Sequence, residues 1–290
     1  MIEVVRSGLL TTVQDLGRPG YAHLGVARSG ALDAPALTHG NRLVGNPDGA
    51  AGLETTLTGL TLRAEVRTTV AVTGARCSVR VDSEAVPFGA AFPVPAGAVV
   101  EVGAAEVGVR AYVAFAGGVS VAPVLGSRST DTLSGLGPPP LRPGFVLPLG
   151  RSAPSTSDST AAGAGADSFA PPDPTADIVL RLRFGPRHDW FSVTARDALM
   201  ENPYTLSVKS NRVGARLTGP ALSRTIAGER PSEGIVLGAV QVPADGQPLV
   251  FLADHPTTGG YPVIGVVEAT DLRLLAQARP GTSVRFAPWT

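Results

Sequence analysis

Val107-Gly108-Val109-Arg110-Ala111-Tyr112-Val113-Ala114-Phe115-Ala116 is built from β-branched, aromatic and small residues and runs into Gly117-Gly118. Such a composition fits a pleated, half-buried strand better than a helix, and the two glycines supply a turn signal at its end. Similar runs, punctuated by glycine and proline, lie at 66–81, 98–102, 178–184, 235–242, 249–252, 263–267 and 282–286. Short strands at this spacing predict β-barrels or sandwiches rather than parallel α/β units. Helices are expected to be few: 34–43 behind the capping-type Asp33, a weak turn at 189–191, then 195–202, and 269–278 with Asp271 near its start.

The chain has 290 residues, enough for two domains of ordinary size. Between Arg151 and Asp177 the sequence turns into Ser, Ala, Gly, Thr, Pro and Asp, with Phe169 as the only large apolar side chain. Such a segment buries too little apolar surface to offset its ordering entropy. The expected organisation is therefore an N-terminal domain over 1–150, a flexible linker over 151–177 and a C-terminal domain over 178–290.

Charged residues make up 17% of the chain and the formal net charge is zero, which argues against nucleic acid or an anionic membrane as a partner. Lys209 is the only lysine, so arginine carries any recognition of anions. The single cysteine, Cys77, rules out an internal disulfide and any Cys-based zinc site, and its alternating surroundings predict a buried thiol. The four histidines, His23, His39, His188 and His255, show no metal-ligand spacing. Neither a leader-type pattern nor eighteen consecutive apolar residues occur, and a cytoplasmic protein is expected.

Four segments mix amides, carboxylates, hydroxyls and arginines with glycine, and each reads as a polar loop after an apolar strand. They are 11–21, 126–131, 207–214 and 254–262. The last, Asp254-His255-Pro256-Thr257-Thr258-Gly259-Gly260-Tyr261-Pro262, offers two hydroxyl donors beside adjacent glycines, which can open an anion-binding concavity. The bland reading is a polar turn between strands. Gln14, Asp15 and Arg18 place an amide, a carboxylate and a guanidinium within five residues, a set suited to gripping a small carboxylate. Its alternative is an internal Asp15–Arg18 pair. Arg128 with Asp131, and Asn211 with Arg212, repeat the pattern. Glu54, a lone acid in an apolar stretch, reads either as a buried base or as a satisfied strand-edge acid.

Taken in order, residues 11–21, 29–33, Glu54, 112–118, 126–131, 185–186, 210–214, 240–248 and 257–262 resemble the second subunit of the biotin-dependent carboxyltransferase family. That family goes by two names, allophanate hydrolase subunit 2 and the C-subunit of 5-oxoprolinase, with members described as kinase-inhibitor antagonists. The resemblance implies a mainly β fold of two cyclophilin-like β-barrel domains with few short helices, and a heteromeric assembly. The partners implied are a homologous first subunit, a third catalytic-type subunit, and a small carboxylate or amide substrate.

The leading activity implied is ATP-dependent opening of 5-oxoproline to glutamate. The alternatives are the carboxyltransferase part of a urea carboxylase or allophanate system, using biotin on a partner, and a regulatory binding module. On this resemblance Gln14, Asp15, Arg18 and Glu54 are the catalytic candidates. Arg128, Asp131, Asn211, Arg212, Asp254, Thr257, Thr258, Gly259, Gly260 and Tyr261 are the substrate-binding ones, with the loops facing one cleft or the partner subunit.

The chain departs from the family pattern at His255-Pro256 and at Pro138-Pro139-Pro140, where proline removes backbone donors. It contains no Gly-x-x-x-x-Gly-Lys-Ser/Thr run, and Lys209 lacks the flanking methionines of a biotin acceptor. ATP or biotin chemistry would accordingly draw on partner subunits.

Overall fold

In a computed structural model, residues 1–151, 177–226, 228 and 231–289 are described. The expected linker at 151–177 therefore lies almost wholly outside the described residues. The chain forms two compact units. Unit one holds Met1–Arg18, Asp33–Asp131 and the residues from Gly135 to 151. Unit two holds 177–289 and takes in Pro19–Leu32 and Thr132–Ser134 as well, two stretches that the expected 1–150 domain includes.

The fold is mainly β. In unit one, β1 (Ile2–Arg6), β2 (Leu10–Gln14), α1 (Ala34–Leu43), β3 (Gly52–Thr56), β4 (Leu60–Ala64), β5 (Thr68–Arg76), β6 (Val79–Val81), β7 (Glu84–Ala85), β8 (Ala91–Val94), β9 (Val99–Val102), β10 (Val107–Phe115) and β11 (Val146–Leu147) follow in order. They build two antiparallel sheets, β11-β1-β4-β9-β6-β7 and β2-β3-β10-β5-β8. One core lies between them, with Val4, Leu62 and Val100 from the first sheet and Val13, Leu53, Val72 and Val113 from the second. The run at 66–81, expected as one strand, is two strands in different sheets, and the chain crosses over at Cys77-Ser78.

The 11–21 segment is not a loop throughout. Leu10–Gln14 is a strand, paired in register with β3 from Leu10↔Thr56 to Gln14↔Gly52. Period-two alternation sends Val13, Leu53 and Val113 into the core and Thr12, Gln14, Glu54 and Tyr112 to the opposite face. That second face is buried as well: α1 packs over its β5 and β10 part, and Gln14 on β2 meets Thr130 O of the 126–131 loop. Asp33 caps α1, its carboxylate accepting from Ala36 N–H at 3.2 Å, and proline occupies the first turn. Thr73 donates to Ala36 O at 2.7 Å. Gly40 lets the helix sit close, since a Cβ there would be 3.1 Å from Thr73 Oγ1 and 3.3 Å from Ala114 Cβ.

Unit two contains β12 (Ile178–Phe184), α2 (Val193–Glu201), β13 (Tyr204–Leu206), β14 (Gly214–Thr218), β15 (Glu233–Gly234), β16 (Ala239–Gln241), β17 (Leu249–Phe251), β18 (Thr258–Gly259), β19 (Val263–Val267), α3 (Leu272–Gln277) and β20 (Ser283–Pro288). Seven strands close a barrel in the order β12-β19-β16-β17-β14-β13-β20, and the parallel β12–β20 pairing completes the ring. Its core includes Leu180, Tyr204, Val240, Ile264 and Phe286, together with Leu32.

The run expected at 235–242 shortens to Ala239–Gln241. Gly238 adopts φ +80, and a Cβ there would lie 2.8 Å from Val267 O. The third helix begins later than expected, after a 3-10 turn at Ala269–Asp271. Asp271 makes no capping bond to it; its carboxylate instead accepts from Arg181 N–H at 2.8 Å and pairs with the Arg181 guanidinium at 2.6 Å.

Candidate functional site

Within unit one, the end of β2 meets the 126–131 loop. The Asp15 carboxylate accepts from Gly17 N–H (2.8 Å), Ser127 Oγ (2.6 Å), Ser129 Oγ (2.6 Å) and Arg128 N–H (2.6 Å). Four donors leave it a positioning role, tying the strand end to a loop more than a hundred residues away. Arg128 reaches it through its backbone, while its side-chain Nε donates to Val121 O at 2.8 Å.

No Asp15–Arg18 ion pair forms. Arg18 is 1% exposed, donates to Val124 O at 3.3 Å and to Ser129 O, and its Nη1 has no hydrogen-bond partner. Gln14 is fully buried, gives its amide hydrogens to Thr12 Oγ1 and Thr130 O at 3.0 Å, and leaves Oε1 without a partner. Buried polar atoms are normally satisfied, and two of the four buried side-chain atoms without a hydrogen-bond partner among the described residues, on Gln14 and Arg18, fall together at this strand end. Asp131, fully buried, closes the loop through backbone bonds to Leu136 and Gly135.

Glu54 sits in an interior strand, so the strand-edge reading does not apply. Tyr112 donates to its Oε2 at 2.8 Å, and Arg110 Nε lies 3.6 Å from Oε1. The Tyr112 hydroxyl also accepts from Asp33 N–H at 2.8 Å. Burial, reinforced by the Glu54 and Asp33 charges, pushes the Tyr112 phenol well above its ordinary value. It is a neutral bridge from the sheet to the start of α1.

Unit two gathers a second set. Arg212 grips Asp254 with Nε and Nη2, each at 2.9 Å, and Nη2 also donates to Gly30 O at 2.7 Å. Asp254 further accepts from Ser29 Oγ (2.8 Å), Thr132 N–H (2.9 Å) and Thr132 Oγ1 (2.7 Å). Burial pushes the Asp254 carboxyl up, but the Arg212 charge and the hydrogen bonds from Arg212 and Thr132 outweigh it and hold the pKa below the usual range. Asn211 is exposed and caps a turn, its Oδ1 accepting from Val213 N–H at 2.9 Å.

The rest of the 254–262 segment is more regular than its composition implies. Thr258 and Gly259 pair with Gly234 and Glu233, and Ile235 N–H donates to Thr257 O. Gly259 sits close to its neighbours, as a Cβ there would lie 2.9 Å from Gln241 Nε2 and 3.3 Å from Ile235 Cδ1, so a larger residue would have to shift the Gln241 side chain. Neither Gly259 nor Gly260 has positive φ, so the backbone is not curled into an anion nest. Tyr261 lies under Arg224, 5.7 Å from its ring centre, and its carbonyl accepts from Gln241. His255 is buried, and Nδ1 must carry the hydrogen donated to Pro256 O at 2.7 Å.

The structure thus brings Gln14, Asp15, Arg18, Arg128 and Asp131 together in unit one, and Arg212 with Asp254 in unit two. Sequence reading passed over Ser127, Ser129, Ser29, Thr132 and Tyr112. Ser127, Ser129 and Thr132 lie inside or beside the 126–131 loop and Ser29 in the 29–33 stretch, and their hydroxyls are the signal. Cys77 is buried, and desolvation followed by the Glu106 charge pushes its thiol up to about 12, leaving no thiolate nucleophile at neutral pH.

The chain is similar to the C-subunit of 5-oxoprolinase from Escherichia coli strain K12, at 40% identity over 289 residues, which cover 99% of this chain and 90% of that protein. Among solved structures it is similar to TTHA0988, with a TM-score of 0.83 and 38% identity over 99% of this chain and 55% of that one. It also matches Kluyveromyces lactis urea carboxylase, with a TM-score of 0.89 and 29% identity over 100% of this chain and 27% of that one. A family model for the carboxyltransferase domain, subdomain A and B, matches residues 24–288, a span that takes in the barrel and unit one from Asp33 onward but not β1, β2, Asp15 or Arg18, and the chain belongs to that family.

Proposed function

We propose that this chain is a subunit of a heteromeric ATP-dependent 5-oxoprolinase, which converts 5-oxo-L-proline, ATP and water to L-glutamate, ADP and phosphate. The observation that carries the reading is the 40% identity to the 5-oxoprolinase C-subunit across nearly the full length of both proteins. A five-membered lactam is unstrained and a poor electrophile, so transfer of a phosphoryl group from ATP to its carbonyl oxygen activates the carbon; water then adds, the C–N bond breaks as nitrogen takes a proton, and a second water releases phosphate from the acyl phosphate to give glutamate.

In this reading the chain's part is to grip the substrate carboxylate and to stabilise negative charge on oxygen. Arg18 fits that part best, being buried, fixed by two carbonyls and left with an uncommitted Nη1. Gln14 orients the ligand beside it, and Asp15 holds the loop in place. Arg212 and Asp254 serve as a brace rather than a reacting pair. ATP binding is assigned to the partner subunits or to a site shared with them, and the partners are a homologous first subunit and a catalytic-type third.

A second reading, carboxyl transfer from a biotin-bearing partner to an amide nitrogen, is favoured by the fold similarity to urea carboxylase, of which this chain spans about a quarter. The deciding experiment mixes this chain with its two partner subunits and measures ADP release with and without 5-oxoproline. Stimulation that vanishes when this chain is omitted supports the first reading. An assembled complex that shows no stimulation overturns it and moves the assignment to carboxyl transfer. Arg18→Gln in the assembled complex should lower kcat by on the order of tenfold or more, with subunit association unchanged.

A further inference from the structure

Unit one carries an open pocket of about 410 Å³ whose lining includes Asn46, Gly117, Gly118, Ser120, Arg128 and Arg151. Its lining contains no aspartate or glutamate. The wall is rigid. Gly117 and Gly118 adopt φ +85 and +68, and a Cβ on Gly117 would lie 2.3 Å from Gly150 O. Asn46 clamps that turn, accepting from Gly117 N–H at 2.8 Å and donating to Phe115 O at 2.7 Å.

Arg128 is tethered at two points, by its backbone to Asp15 and by Nε to Val121 O. Its two Nη groups have no hydrogen-bond or ion-pair partner among the described residues, and neither has the exposed Arg151. Two guanidinium groups thus line one pocket with no carboxylate to balance them.

We propose that this pocket is a binding site for a dianionic oxyanion, a phosphoryl group in particular. A fixed guanidinium presents its two Nη donors in the planar fork that matches phosphate oxygens, and a second arginine supplies the charge that a monoanion would leave unbalanced. The volume suits a small ligand rather than a macromolecule. The inference goes beyond the 5-oxoprolinase reading, because it concerns a property of this chain alone and holds whichever reaction the assembly performs.

The test is titration calorimetry of the full chain with inorganic phosphate, using 5-oxoproline as a monoanionic control. Saturable binding is expected, weakening as salt rises and falling roughly tenfold in both Arg128→Gln and Arg151→Gln, while Arg142→Gln, outside the pocket, leaves it unchanged. Because Arg128 also secures its loop, Arg151→Gln is the decisive variant: the Arg151 side chain is exposed and has no hydrogen-bond or ion-pair partner among the described residues, so the substitution does not endanger folding. Absence of saturable phosphate binding, or binding indifferent to Arg151→Gln, overturns the site. Equal affinity for 5-oxoproline, lost in the same variants, overturns the dianion assignment.

Discussion

Asp254 is the residue on which unit two depends most for its polar order. Its carboxylate takes hydrogen bonds from Arg212, Ser29 and Thr132, and Arg212 itself is only 2% exposed. Asp254→Asn leaves the Arg212 charge buried without its counter-ion and should cost about 3–5 kcal/mol, read from urea denaturation. The same carboxyl sets a pH dependence. Its folded pKa lies below the unfolded value of about 3.9, so its contribution is fully present above that value and is lost as pH falls through the folded pKa. In Asp254→Asn the acid limb of the stability curve should flatten. Tyr112→Phe removes the hydroxyl that bridges Asp33 N–H and Glu54, and should cost about 1–3 kcal/mol in the same assay. Cys77 should resist alkylation at neutral pH in the native protein and react once it is unfolded, since its thiol is both buried and held protonated.

At the scale of elements, α1 is the piece that buries the second face of the five-stranded sheet over β5 and β10. Asp33→Ala deletes its N-cap and should lower stability by about 1 kcal/mol, seen as a small drop in Tm. Much of this level is legible from the sequence. Strands 178–184 and 263–267 and helix 34–43 have their expected limits, because β-branched runs and a capping residue mark them directly. Leu10–Gln14 is not legible as a strand. Its outward residues Thr12 and Gln14 look solvated, and their burial depends on a loop more than a hundred residues on, where Thr130 O receives the Gln14 amide. The same limit applies to the site. Polar residue types in 11–21 and 126–131 point to polar loops, but that Asp15 is satisfied by Ser127 and Ser129 rather than by Arg18 is a long-range fact that local pattern does not contain.

On the scale of the whole molecule, the order of the chain does not match its division into units. Pro19–Leu32 and Thr132–Ser134 leave the first half and belong to the second unit, supplying Leu32 to its core and Ser29 and Thr132 to Asp254. A fragment of 178–290 expressed alone is therefore expected to lack its native fold, with a poorly dispersed NMR spectrum, although a sequence boundary near 150 would recommend it as a domain. Restoring the fragment to order should require the N-terminal half in the same tube. Severing the polypeptide once between 151 and 177 should, by the same reasoning, give two bands on a denaturing gel and one particle in native chromatography. The second core would then be inherited and expressed only together with the first half of the gene, and gene fission at that segment would be tolerated only where both products are made together.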